Sequence, residues 1–205
     1  MRTSSMNIST VLSHFKTHDP LLYSWAMRCD LQPIMTTDNL FLRICDSIIS
    51  QQLSTKAADA ILARFVGLFP HSLPTAPLIL TLDPQAIRDV GISWAKVRSL
   101  VDLAETIDDG RLALSELPAL SDEAAMLALC QVKGIGPWTA EMIMMFGLAR
   151  LDLYSHGDLG LRKGMQKIYE LPALPSVEEA EKITAVWSPY RTYGCRVLWR
   201  SLELI

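Results

Sequence analysis

Two stretches hold residues whose types and spacing can do chemistry: QVKGIGPWTAEM, residues 131–142, and YSHGDLGLRKG, residues 154–164. In the first, Gly134 and Gly136 flank Ile135, and Pro137 and Trp138 follow at the mouth of an apolar run. Glycine permits a positive φ or a close backbone approach. Turn N–H groups followed by a helix N-terminus make an anion site. A phosphate diester fits there without any side-chain charge, and Lys133 adds one. Ile135 is expected to point back and pin the two helices. Trp138 offers a face to something flat. The plainer reading is a tight helical hairpin with glycines for the turn alone. The full string, apolar–x–Gly–apolar–Gly–x–x–Thr–Ala, is much more specific than two glycines. In the second stretch, Asp158 precedes LGLRKGMQKIY and reads by itself as a helix N-cap.

The elements that must position these residues are helices. Period-two alternation is absent and helical periodicity is everywhere. NLFLRICDSIIS places Leu40, Ile44 and Ile48 on one face. Further helices start at Ser54, at Asp83 with Pro84 behind it, at Ser93 and at Ser121, each a good cap. SVEEAEKITAVW carries a capping box of Ser176 with Glu179, and RTYGCRVLWRSLE is the last helix. The joints, FPHSLPTAPL, ELPALS and ELPALPS, are short and rich in proline. The pattern predicts an all-α protein of eight to ten helices, without independent domains or internal repeats.

Composition narrows the class. The chain has 205 residues, half of them hydrophobic and 20% charged, which is globular rather than disordered. No apolar run approaches the roughly 18 residues of a membrane span, and the N-terminal stretch does not read as a signal peptide. Cys29, Cys45, Cys130 and Cys195 are scattered, without the clustering that zinc or iron–sulfur ligation shows. They are expected to be buried free thiols in a reducing compartment. The net charge of −3 argues weakly against nucleic acid. It is uneven: Leu129 onward holds nine Lys/Arg against eight Asp/Glu, so the rest carries −4. Any nucleic-acid face is therefore expected in the last third.

With these motifs in view, VKGIGPWTAEM resembles the helix-hairpin-helix of the base-excision DNA glycosylases, the HhH-GPD superfamily, and Asp158 stands where that family keeps its aspartate. IISQQLSTKAADAILARF resembles the early helix pair of the alkylated-base branch, and VWSPYRTYGCRVLWR its C-terminal helix. The resemblance covers roughly residues 40–205 and is nearest the AlkA-type 3-methyladenine glycosylases, in a compact form without their N-terminal β-rich domain. It implies a single module over residues 1–205 with two helical lobes. A central lobe would span about 40–130 and the hairpin 131–141. The N-terminal segment and 145–205 would form the second lobe, with the active-site cleft between the two.

It also implies roles. Cleaving an N-glycosidic bond builds positive charge on the sugar, which a fixed carboxylate stabilises while it orients or deprotonates water. Asp158 is the candidate for that role. Lyase members keep a Schiff-base lysine just before the Thr-Ala of the hairpin, and here that place holds Trp138, which implies a monofunctional enzyme. Trp138, Trp199 and Met142 are expected to line the pocket of a flipped, electron-poor base, with Trp187 and Tyr190 weaker candidates. Lys133, Gly134, Ile135, Gly136 and Thr139 are expected to bind DNA. Gln52, with Gln51 beside it as the alternative, near the opposite strand, and Ile92 or Trp94, wedged into the stack, join them. The carbonyls of Cys130, Val132 and Ile135 match positions that coordinate a structural Na+ or K+ in relatives, and no other cofactor is implied. His156 stands near a position that is often acidic in the family. The partner would be double-stranded DNA with alkylated bases, bound by a monomer in a bacterial nucleoid or a nucleus. The activity would be release of 3-methyladenine and 7-methylguanine. Deaminated or oxidised bases are the variant within the class. A non-catalytic DNA-binding module and a helical interaction protein are the alternatives outside it.

Overall fold

The computed structural model describes residues 7–204; Met1–Met6, the start of the stretch screened for a signal peptide, lie outside them. Among the described residues there are twelve α-helices, three short 3-10 turns and no strand. The helices are α1 (Ile8–His18), α2 (Pro20–Ala26), α3 (Leu40–Ser50), α4 (Thr55–Val66), α5 (Ala76–Thr81), α6 (Pro84–Asp89), α7 (Trp94–Asp108), α8 (Asp122–Cys130), α9 (Pro137–Phe146), α10 (Leu159–Ile168), α11 (Val177–Thr184) and α12 (Arg191–Glu203). None is long and apolar enough to cross a membrane. The count exceeds the eight to ten expected from periodicity. The excess includes α2 and α5, of seven and six residues, too short to show a period.

The helix starts follow from local chemistry. Ser54, Asp83, Ser93 and Ser121 each accept a hydrogen bond from an N–H in the first turn of the helix they open. Ser176 and Glu179 form the reciprocal capping box. Each such cap typically contributes about 1 kcal/mol, so these boundaries are written into four or five consecutive residues.

The chain forms two compact units, one of Thr36–Leu148 and one of the segments before and after it. In the first, α3 packs against α4, α7 and α9, and α5 packs against α7. Ile44 and Ile48 of α3, Leu100 and Leu103 of α7 and Ile143 of α9 are wholly buried there. Each such side chain contributes about 1.5–3 kcal/mol by leaving water. In the second unit, α12 packs against α10 and α2, over a core that includes Phe15, Trp187 and Tyr193. All four cysteines are free; Cys45 and Cys195 are buried as expected, whereas Cys29 and Cys130 are only half-buried.

Candidate functional site

In the Thr36–Leu148 unit, α8 and α9 make the hairpin. Gly134 has φ +84°, and a Cβ built there would lie 2.2 Å from Ser99 Oγ, so no larger residue fits. Gly136 plays a different part. Its φ of −91° is open to any residue, and a Cβ there would meet nothing within 4 Å. It is the N-cap of α9, with no side-chain cap bond, and Pro137 occupies the first turn. Ile135 is buried and its N–H bonds the Val132 carbonyl at 3.0 Å, which closes the turn. Lys133 projects from the surface, while its N–H bonds Asp102 Oδ2 at 2.7 Å.

The hairpin rests on residues that sequence reasoning missed. Lys96, Ser99 and Asp102 recur every three residues along α7 and face its underside. Lys96 Nζ donates to the carbonyls of Ile49 (2.8 Å) and Gln51 (2.7 Å) at the end of α3. Burial lowers the Lys96 pKa from its ordinary value. Gln51 Nε2 in turn donates to the Gly134 carbonyl and to Thr139 Oγ1, both at 3.0 Å. Thr139 is 5% exposed, and Gln51 bonds its hydroxyl, so its side chain braces the turn from within. Gln52, one residue on, is exposed with a left-handed φ of +57°. The two wedge candidates are placed differently. Ile92 is 1% exposed and belongs to the core, while Trp94 is 45% exposed at the start of α7.

The second hairpin helix, α9, and the neighbouring α3 line a cavity of about 170 Å³. Arg43, Ser47 and Ser50 line it from α3, at a spacing of four and three that forms one helical stripe. Trp138, Met142 and Phe146 line it from α9, one turn apart each, with Thr139 beside them. Trp138 and Met142 are therefore brought together, as the pocket reading requires, and Trp138 remains 44% exposed. The α3 stripe was not anticipated, although its spacing was there to be read.

In the other unit, Asp158 caps α10 and is only 8% exposed. Its Oδ1 accepts from the Leu161 N–H at 2.7 Å and from the Trp199 indole N–H at 3.1 Å. The indole can come this close because residue 160 is glycine. A Cβ on Gly160 would stand 3.0 Å from Asp158 Oδ1 and 3.1 Å from Trp199 Cδ1. Trp199 is thus a hydrogen-bond partner of the carboxylate, a relation that sequence alone did not show. Upstream, Asp152 anchors the loop to α12 through Arg191, at 2.8 and 3.0 Å. Tyr154 is buried in the same loop, and burial pushes its pKa up. His156 lies 3.8 Å from Glu181 at the surface. Trp187 is a core residue, wholly buried with its N–H on Asp19.

This architecture has known counterparts. The family described as HhH-GPD superfamily base excision DNA repair protein matches residues 45–189, and the chain belongs to it. It is 35% identical over 160 residues to DNA-3-methyladenine glycosylase 1 of Schizosaccharomyces pombe, covering 77% of this chain and 70% of that protein. It is 33% identical over 177 residues to the putative DNA-3-methyladenine glycosylase YfjP of Bacillus subtilis, covering 83% of this chain but only 62% of that protein's length. The solved 3-methyladenine DNA glycosylase of S. pombe in complex with abasic DNA has a TM-score of 0.83 and 30% identity, covering 95% of this chain and 97% of that one.

Proposed function

We propose that this protein is a monofunctional DNA glycosylase that hydrolyses the N-glycosidic bond of alkylated purines, 3-methyladenine and 7-methylguanine, in double-stranded DNA during base excision repair. The observation that carries the reading is Asp158: a buried carboxylate held by a backbone N–H and an indole N–H, in a chain of this superfamily. As the C–N bond breaks, its electron pair leaves on the base nitrogen and positive charge grows on the sugar. The Asp158 carboxylate stabilises that charge, orients the water whose oxygen bonds the anomeric carbon, and takes up its proton. The flipped base is electron-poor, and the Trp138 face attracts it by stacking and cation–π terms, with Met142 completing the wall. With Trp138 where lyases carry an amine, no Schiff base forms there and the strand stays intact.

The hairpin N–H groups at Gly134 and Gly136, with Lys133, hold a DNA phosphate. Gln52 and Trp94, both exposed, fill the gap left by the flipped base. The carbonyls of Cys130, Val132 and Ile135 are neutral oxygens suited to a monovalent cation. Ile135 N–H engages one lone pair of Val132 and leaves the second. Such an ion would brace the turn against phosphate. The enzyme works as a monomer on cellular DNA, in a nucleoid or a nucleus, and the reaction as written needs no cofactor.

The test is base release. Wild type and Asp158→Asn are incubated with methylated duplex DNA, and free 3-methyladenine and 7-methylguanine are quantified. Release by wild type that the variant loses, with DNA binding kept, supports the proposal. A folded, DNA-binding wild type that releases neither base would overturn it.

A further inference from the structure

The cavity between α3 and α9 has one aromatic wall and one polar wall, and the polar wall includes a guanidinium with donors to spare. Arg43 Nη1 donates to Asp46 at 2.7 Å, one turn along α3. Arg43 Nε is shut away from solvent, but the side chain as a whole is 31% exposed, and among the described residues Nη2 donates to nothing. The two N–H donors of Nη2 are therefore open to a ligand acceptor. The two serines on the same stripe do not compete for that role as donors. Ser47 Oγ donates back to the Arg43 carbonyl at 2.9 Å, and Ser50 Oγ to the Ser47 carbonyl at 3.5 Å. Their remaining capacity is as acceptors. The wall facing Trp138 therefore presents a cationic donor, held on one side by Asp46, beside two hydroxyl acceptors.

Resting on the reading of this cavity as the base pocket, we propose that Arg43 is a specificity residue that reads the acceptor edge of the flipped base and favours 6-oxopurines over 6-aminopurines. A guanidinium only donates. The O6 carbonyl of 7-methylguanine accepts such a bond, and the adjacent N1–H finds an acceptor in a serine hydroxyl. At the same position 3-methyladenine carries an amino group, a donor that meets a donor. Both lesions are cationic in DNA, so the charge of Arg43 acts on both alike and cancels from their ratio. The hydrogen-bonding edge does not cancel.

The test measures 7-methylguanine and 3-methyladenine released from one methylated duplex by wild type, Arg43→Met and Arg43→Gln, with thermal unfolding followed for each. Arg43→Met should lower the 7-methylguanine to 3-methyladenine ratio by about tenfold, the size of one lost charge-assisted bond. Arg43→Gln, which keeps a neutral donor, should fall between. Hypoxanthine release from inosine-containing duplex should decline in step with 7-methylguanine. An unchanged ratio, or an equal loss of both bases, overturns the specificity role while leaving the glycosylase reading intact. Release of neither base by folded wild type overturns both. If Arg43→Met does not fold, the Arg43→Gln ratio decides alone: a fall supports the role and no change refutes it.

Discussion

Asp19 and Asp158 lie in the same unit and look alike. Each caps a helix through Oδ1, each is 8% exposed, and each accepts an indole N–H from a distant tryptophan. The difference lies in what the bonds tie together. Asp19 uses Oδ1 for the Leu22 N–H at 2.9 Å, while Oδ2 takes the Trp187 N–H at 2.8 Å and the Tyr169 hydroxyl. The carboxylate is a knot tying α2 to the core, and the bond to it helps burial raise the Tyr169 pKa. At Asp158 the Leu161 and Trp199 bonds join the start of α10 to α12. The comparison teaches that burial and capping by themselves do not distinguish a structural aspartate from one proposed to do chemistry.

The comparison breaks most sharply by exchanging each acid for its amide. Asp158→Asn should cut the rate of base release by about 10²–10⁴-fold, the range for a lost general base or charge stabiliser. The cap on α10 should hold, because asparagine caps a helix as well as aspartate does. Asp19→Asn should do the reverse. Its new NH2 faces the Trp187 N–H and the Tyr169 hydroxyl, and leaving buried donors unpaired costs about 1–3 kcal/mol. Chemical denaturation should report that loss, while base release per folded molecule stays near wild type. If Asp19→Asn instead abolishes release in folded protein, the distinction between the two aspartates fails.

A finer test removes one donor from each. Trp199→Phe should slow release by about tenfold, as expected when one roughly 1.4 kcal/mol hydrogen bond that orients a carboxylate is lost. Trp187→Phe should lower stability and leave the rate alone. The smallest effect concerns a third aspartate of this unit. Burial acts to raise the Asp152 pKa, but hydrogen bonds from Arg191 and Ser188, with the guanidinium charge, outweigh it and hold the pKa below its ordinary value. A lowered folded pKa means the stabilisation is present above the unfolded carboxylate pKa of about 3.9 and is lost as pH falls through the folded value. For this half-exposed pair it amounts to about 1 kcal/mol or less. Asp152→Asn should therefore narrow its stability gap to wild type as the pH drops below about 4.

Residue by residue, what was legible in the sequence is what depends on neighbours in the chain. Ser54, Asp83, Ser93, Ser121 and Ser176 announce their helices because a cap bonds an N–H two or three residues away. The hairpin string and Asp158 were legible for the same reason, being short runs with fixed spacing. Adjacent or matched residues of one type were not separable. Gln51 and Gln52 read alike, yet one braces the hairpin and the other stands exposed. Gly134 and Gly136 read alike, yet only Gly134 has a positive φ and a serine in the way.

The sequence by itself determined the all-helical class, most helix starts, the hairpin turn and the cap at Asp158, because each is encoded within one or two helical turns of chain. The tertiary structure alone decided that Lys96 and Gln51 hold the hairpin, that Arg43 joins Trp138 around one cavity, and that Trp199 sits on Asp158 while Trp187 sits on Asp19. These pairings join residues from 41 to 168 positions apart. Whether such residues meet depends on how whole helices pack, and no local spacing carries that information.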